Sequence, residues 1–192
     1  PQPILVLNNH LRYDERRFSE PKWVAAKDLI AGKHFVGFGI NTKSENIHDL
    51  NKEECWFLGR YMADGYLTSR GKRSKTEERK VFRVSLCVGY VKVKSFPIFK
   101  TIKTYTTQER TVTKFHVSNK KLHGLCKQIG CGSENKSIPG FIMDLPINLL
   151  SIFIKGYLSG DVSVNNEKYS ITTVSKKLAY SFSQAVYKCY NT

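Results

Sequence analysis

The chain has 192 residues, with 31 Lys and Arg against 16 Asp and Glu, a formal net charge of +15 and a pI near 9.7. That length is enough to bury a real core in one or two domains, and the charge points to a polyanionic partner beyond mere solubility. There is no apolar run of about 18 residues to span a membrane and no signal-peptide pattern, and five scattered cysteines (55, 87, 126, 131, 189) make neither a disulfide framework nor a paired zinc site.

In chain order, residues 1 to about 40 read as short strands and turns. Pro3 to Leu7 is a brief apolar run, Asn8 to His10 a turn, and residues 12 to 22 a charged loop. Trp23 to Gly32 and the strand-like His34 to Ile40 follow. Residues 41 to 50 are polar and form the candidate linker. Leu50, Asn51 and Glu54 then supply a staple, an N-cap and a capping-box acid, so a helix is predicted from near Lys52 to Ala63. After it come a short strand at Tyr66 to Thr68, a solvated turn at residues 70 to 80, and a clear alternation from Val81 to Val88. Phe82, Val84, Leu86 and Val88 are predicted to pack on helices, leaving Arg83, Ser85 and Cys87 to face a ligand. A short helix stopped by Pro97 is read over Lys92 to Phe99. Strands are predicted at Ile102 to Thr106 and Thr111 to Ser118, with Gln108 to Arg110 as their turn, and a helix follows from the cap Asn119 to Gly130. A connector with Lys136-Ser-Ile-Pro139 leads to a second long helix from about Pro146 to Gly160. A strand at Tyr169 to Val174 and a helix capped by Ser175 complete the chain.

The two long helices carry one pattern. In Cys55 to Tyr66, Gly59 is followed four residues on by Ala63 and then by Asp64; in Phe153 to Val162, Gly156, Gly160 and Asp161 stand in the same relation. Small residues at i and i+4 let two helices approach closely. Their aspartates would then meet at helix C-termini, where the macrodipole disfavours an anion and two carboxylates repel unless a cation or a shared proton intervenes. That points to a divalent metal site on Asp64 and Asp161; the bland alternative is that each aspartate caps a turn. The stripe of Arg83, Ser85, Lys103, Tyr105, Lys114 and His116 suits a DNA groove, or is a solvated face.

The pairs FLGRYMADG (57–65) and IKGYLSGDV (154–162) resemble the paired motif of the LAGLIDADG homing endonucleases. The resemblance implies an α+β fold of two pseudo-symmetric αββαββα halves, the second truncated, forming a saddle on double-stranded DNA. It implies Mg²⁺, or Mn²⁺ in its place, held by the catalytic Asp64 and Asp161. It also implies a catalytic role for Lys136, which precedes an Ile-Pro pair as an active-site lysine does in similar endonucleases. Two motifs in one chain imply a monomer.

Trp23 to Gly32 and His34 to Ile40 resemble the segment that follows the histidine block of intein splicing domains, which makes residues 1–45 a small β-rich Hint-like piece with its linker. His10 is then the histidine that assists the first acyl shift, or a surface turn residue. With no nucleophile block before it and no terminal His-Asn pair, the chain is not expected to splice by itself, and its second half is expected to be incomplete. The predicted domains are residues 1–45, 46–135 and 136–192, within a larger intein and host precursor. The expected activity is metal-dependent double-strand cleavage at a long DNA site. The rivals are a cleavage-inactive DNA- or maturase-like RNA-binding module, and a purely structural insertion.

Overall fold

The computed structural model describes residues 3–12, 15–18, 22–36, 43–72, 78–165 and 168–190. The chain divides into two compact units, Pro1–Ile40 and Asn41–Thr192.

The first unit is built on β1 (Pro3–Arg12), which pairs antiparallel with β2 (Glu15–Phe18), β3 (Lys22–Ala25) and β4 (His34–Val36). Val6 lies at the centre of this sheet, between Lys22 and Val36, and is fully buried. His10 is not in a turn, as its polar neighbours suggested: its backbone belongs to β1 and pairs with Arg17. Its side chain lies outside the described residues.

The second unit starts with α1 (Lys52–Asp64). Its N-terminus has the expected capping box, with Asn51 Oδ1 accepting from the Glu54 amide and Glu54 Oε2 accepting from the Asn51 amide. The chain passes directly into β5 (Gly65–Lys72) and returns along β6 (Glu78–Gly89). A single helical turn, α2 (Tyr90–Val93), leads to β7 (Tyr105–Glu109) and β8 (Val112–Ser118), and the sheet order is β5-β6-β8-β7, all antiparallel. Next come α3 (Lys120–Ile129), the short α4 (Gly140–Met143), α5 (Ile147–Asp161), the hairpin of β9 (Val162–Asn165) with β10 (Lys168–Ile171), and α6 (Lys176–Tyr190).

The loop read over residues 12 to 22 contains β2, β5 and β6 run into the turn read over 70 to 80, and two further predicted elements move. In place of the helix over Lys92 to Phe99 there is only the earlier turn α2, and Glu53 of α1 accepts from the amides of Lys100 and Thr101 at 2.8 and 2.7 Å, which fixes the chain beyond it. Phe96 stacks on Phe115 at 4.0 Å and meets Trp56 edge-on at 5.4 Å, so aromatic packing replaces helical hydrogen bonds. The strand predicted at Ile102 to Thr106 begins at Tyr105, with Ile102 buried ahead of it. Its turn is then Arg110-Thr111, since Glu109 pairs with Val112.

The core lies where α1 and α5 cross. Phe57, Leu58, Tyr61 and Met62 from α1 and Phe153, Ile154 and Tyr157 from α5 are all essentially inaccessible. The crossing is close because glycines line it. A Cβ on Gly59 would overlap the Phe153 carbonyl, one on Gly156 would overlap the Trp56 carbonyl, and one on Gly160 would overlap the Ala63 side chain. Gly156→Ala is therefore expected to lower stability by about 1–3 kcal/mol. Gly124→Ala, in α3 where a Cβ meets nothing within 4 Å, is expected to raise it by about 0.5–1 kcal/mol. Urea unfolding midpoints of both variants against the unmodified chain check the pair.

Candidate active site

Asp64 is the last residue of α1, and its side chain is about one-third exposed. It sits at the glycine-lined crossing: a Cβ built on Gly160 would lie 3.1 Å from Asp64 Oδ2. The end of the first motif therefore meets the backbone just before Asp161, the last residue of α5. The Asp161 side chain lies outside the described residues. Two cations that sequence reasoning missed reach this corner. Arg60 Nη2 donates to Asp64 Oδ2 at 2.6 Å, one helical turn apart, and to the Cys87 carbonyl of β6 at 3.1 Å. Lys92 Nζ donates to the Gly160 carbonyl at 2.5 Å. The signal for Arg60 was present: a lone charge inside an apolar helical run, four residues before the aspartate. Lys92 carried no such signal, because its partner is 68 residues away.

Lys136 is buried, and its ammonium donates to the carbonyls of Tyr61 at 2.9 Å, Ala63 at 3.4 Å and Gly65 at 3.0 Å. It also lies 5.0 Å from the centre of the Tyr61 ring. These carbonyls belong to the C-terminal end of α1, where a cation is favoured, and they bracket Asp64 in sequence. The Lys136 carbonyl accepts from Ser175 Oγ at 2.8 Å, and that same hydroxyl caps α6 through the Leu178 amide. Lys136 thus anchors the stretch that carries Asp64.

Apart from Lys103, which precedes β7, the predicted polar stripe shares one face of the sheet. The register sets Tyr66, Ser85, His116 and Tyr105 in one cross-strand row, Thr68, Arg83 and Ser118 in the next, and Cys87, Lys114 and Thr107 on the other side. The opposite face buries Val84, Leu86 and Val117. The stripe is not uniformly exposed. Ser85 is fully buried and His116 only 6% exposed: Ser85 Oγ bonds His116 Nδ1 at 2.8 Å, and Thr107 Oγ1 bonds Nε2 at 2.8 Å. A neutral ring satisfies both hydroxyls, donating to one and accepting from the other. Tyr105 lies over His116 with ring centres 4.9 Å apart, and the Arg83 guanidinium lies 5.7 Å from the Tyr105 ring. Lys114 pairs with Glu109 at 2.6 Å, and Lys103 is exposed ahead of β7.

Burial, helped by the nearby Arg83 and Lys114 charges, holds His116 below its usual 6.5. The unfolded chain therefore binds more protons than the folded one just below that value, so stability falls as the pH drops from 6.5. His116→Gln is expected to flatten part of this loss in urea unfolding between pH 7 and pH 5. Lys136→Met leaves three backbone carbonyls without their ammonium and is expected to cost about 2–4 kcal/mol in the same assay at neutral pH.

Among the described residues no group of three His, Cys, Asp or Glu side chains gathers to hold a metal, and no helix is long and apolar enough to cross a membrane. No protein-family model matches the chain. Solved structures do. I-DmoI in complex with DNA and manganese aligns over 70% of this chain and 76% of its own, with 16% identity and a TM-score of 0.52. I-DmoI with DNA and calcium aligns over 74% and 72%, at 17% identity and TM-score 0.52. A doubly substituted I-DmoI, bound to its target DNA nicked in the coding strand with manganese present, aligns over 74% and 77%, at 17% identity and the same score. Across about three-quarters of its length, this chain has the mixed α/β fold of those DNA-bound proteins.

Proposed function

We propose that this chain is a site-specific DNA endonuclease of the LAGLIDADG type, encoded within an intein, that makes double-strand breaks at a long recognition site. The observation that carries the reading is the crossing of α1 and α5. Gly59 and Gly156 bring each helix against the main chain of the other, and a Cβ at Gly160 would lie 3.1 Å from Asp64 Oδ2. The backbones meet at Gly59 and Gly156, one turn before the end where both motifs carry an aspartate, so the crossing brings those two helix ends together. The likeness in fold to DNA-bound I-DmoI supports duplex DNA as the partner, as does a net charge of +15.

In this reading residues 46–135 and 136–192 belong to two related halves, acting as a monomer within an intein precursor. Residues 1–45 are the Hint-like segment, in which His10 serves splicing. The donors at the crossing are hard oxygens, and Asp64 is partly exposed, which fits a divalent cation. Asp64 and Asp161 would hold Mg²⁺, or Mn²⁺ in its place; the I-DmoI structures contain Mn or Ca. When bound, such an ion supplies Lewis acidity and neutralises charge at the phosphate.

The chain's own residues do the rest. Lys136 fixes the end of α1 through three carbonyls, so the Asp64 carboxylate is held where the helices meet. Arg83, Lys103 and Lys114 neutralise backbone phosphates, while Tyr105, with Ser85 and His116 behind it, presents a stiffened polar row to the base edges.

A second reading has one observation in its favour. The ion pair of Arg60 with Asp64 gives that carboxylate a partner inside the protein, as suits a cleavage-inactive DNA- or RNA-binding module. Calorimetric titration with Ca²⁺ or Mn²⁺, in the presence of nonspecific duplex DNA, separates the two. Asp64→Asn and Asp161→Asn are each expected to weaken cation binding by about tenfold or more. If both bind as the unmodified chain does, the endonuclease reading is overturned and the binding module stands.

A further inference from the structure

Resting on the reading of Asp64 as a cation ligand, we propose that Arg60 is a positioning residue that acts as the site's built-in counter-cation. It neutralises the Asp64 carboxylate while no divalent ion is present and competes with that ion for it. Arg60 is 2% exposed, and a charge so deeply placed persists only with partners of its own. Its guanidinium joins the Asp64 carboxylate to the Cys87 carbonyl, so it ties the end of α1 to β6. The space it fills is made by the other motif: a Cβ on Gly160 would lie 2.5 Å from Arg60 Nη1. The same glycine that lets the helices meet therefore houses the arginine. An anion at a helix C-terminus is disfavoured by the macrodipole, and Asp64 is the last residue of α1. Arg60 removes much of that penalty before any metal arrives. A divalent ion entering the site then gains less than it would at a bare carboxylate, because the carboxylate is already partnered.

The test is thermal unfolding of the full chain, in chelator and in millimolar Ca²⁺, for the unmodified protein, Arg60→Met, Arg60→Lys and the double variant Arg60→Met with Asp64→Asn. In chelator, Arg60→Met is expected to melt about 5–10 °C lower, Arg60→Lys less so, and the double variant to recover most of the loss. Ca²⁺ is expected to raise the melting temperature of Arg60→Met by at least about twice the shift of the unmodified chain, and this excess is expected to vanish in the double variant. A role limited to filling space moves neither comparison. The inference is overturned if the double variant is no more stable than Arg60→Met, or if Ca²⁺ raises Arg60→Met no more than the unmodified chain. Should Arg60→Met fail to fold in chelator, a folded double variant supports the inference and an unfolded one overturns it. A failure confined to the Arg60 variants, with Asp64→Asn still removing Ca²⁺ binding from the otherwise unmodified chain, leaves the endonuclease reading standing.

Discussion

The rest of the larger unit depends on the contact between backbones where α1 crosses α5. Gly59 meets the Phe153 carbonyl, Gly156 the Trp56 carbonyl, and Gly160 the Ala63 side chain, so the two helices cannot slide past each other without a collision. A pair of helices held by larger side chains has room to repack; one held by main-chain atoms does not. Because β5 leaves α1 at Gly65 and β9 leaves α5 at Val162, with no intervening loop, the crossing also determines where both strands begin. Lys136 then closes the arrangement by holding the last carbonyls of α1 from below.

The sheet depends on this frame for one face and on its own polar network for the other. Val84, Leu86 and Val117 bury against the helices. On the far side, hydroxyls bracket His116 at both ring nitrogens, and Tyr105 covers it. A buried, fully bonded polar row is rigid, since every alternative leaves an orphaned donor or acceptor. Rigidity is useful on a surface that has to meet a regular ligand, because side chains already in place lose less entropy on binding. Under the proposed DNA-binding function, Ser85 and His116 would act by stiffening Tyr105 and Arg83 rather than by touching the ligand first.

What was legible in the chain followed the range of the forces involved. Caps were legible, because Asn51 with Glu54, and Asn119 with Leu122, act over three residues. The alternation of β6 was legible because period two is local. The 90–104 segment was not: its path is decided by contacts with Glu53 and Trp56, 40 to 48 residues earlier, which no window over that segment contains. At the site, the small-residue pattern and the aspartates could be read directly. The ammonium of Lys136 could be placed near them only by analogy, and its three carbonyl partners are set by tertiary packing. Burial of Ser85 and His116 was illegible because alternation assigns a residue to a face and says nothing about whether that face is covered.

The two motifs also differ in a way that one steric argument connects. Aligned on Gly59 with Gly156 and on Asp64 with Asp161, Arg60 corresponds to Tyr157, and Ala63 corresponds to Gly160. Both Arg60 and Tyr157 are buried, but only Arg60 needs a notch in the facing helix, because its guanidinium reaches past the crossing to Asp64 and the Cys87 carbonyl. That notch is the absent side chain of Gly160. Tyr157 packs at 4.9 Å against Phe182 of α6, and position 63 carries a methyl group opposite Gly160. Glycine at position 160 thus makes room for both the Ala63 methyl group and the Arg60 guanidinium, and the cation and the close crossing are one feature of the fold.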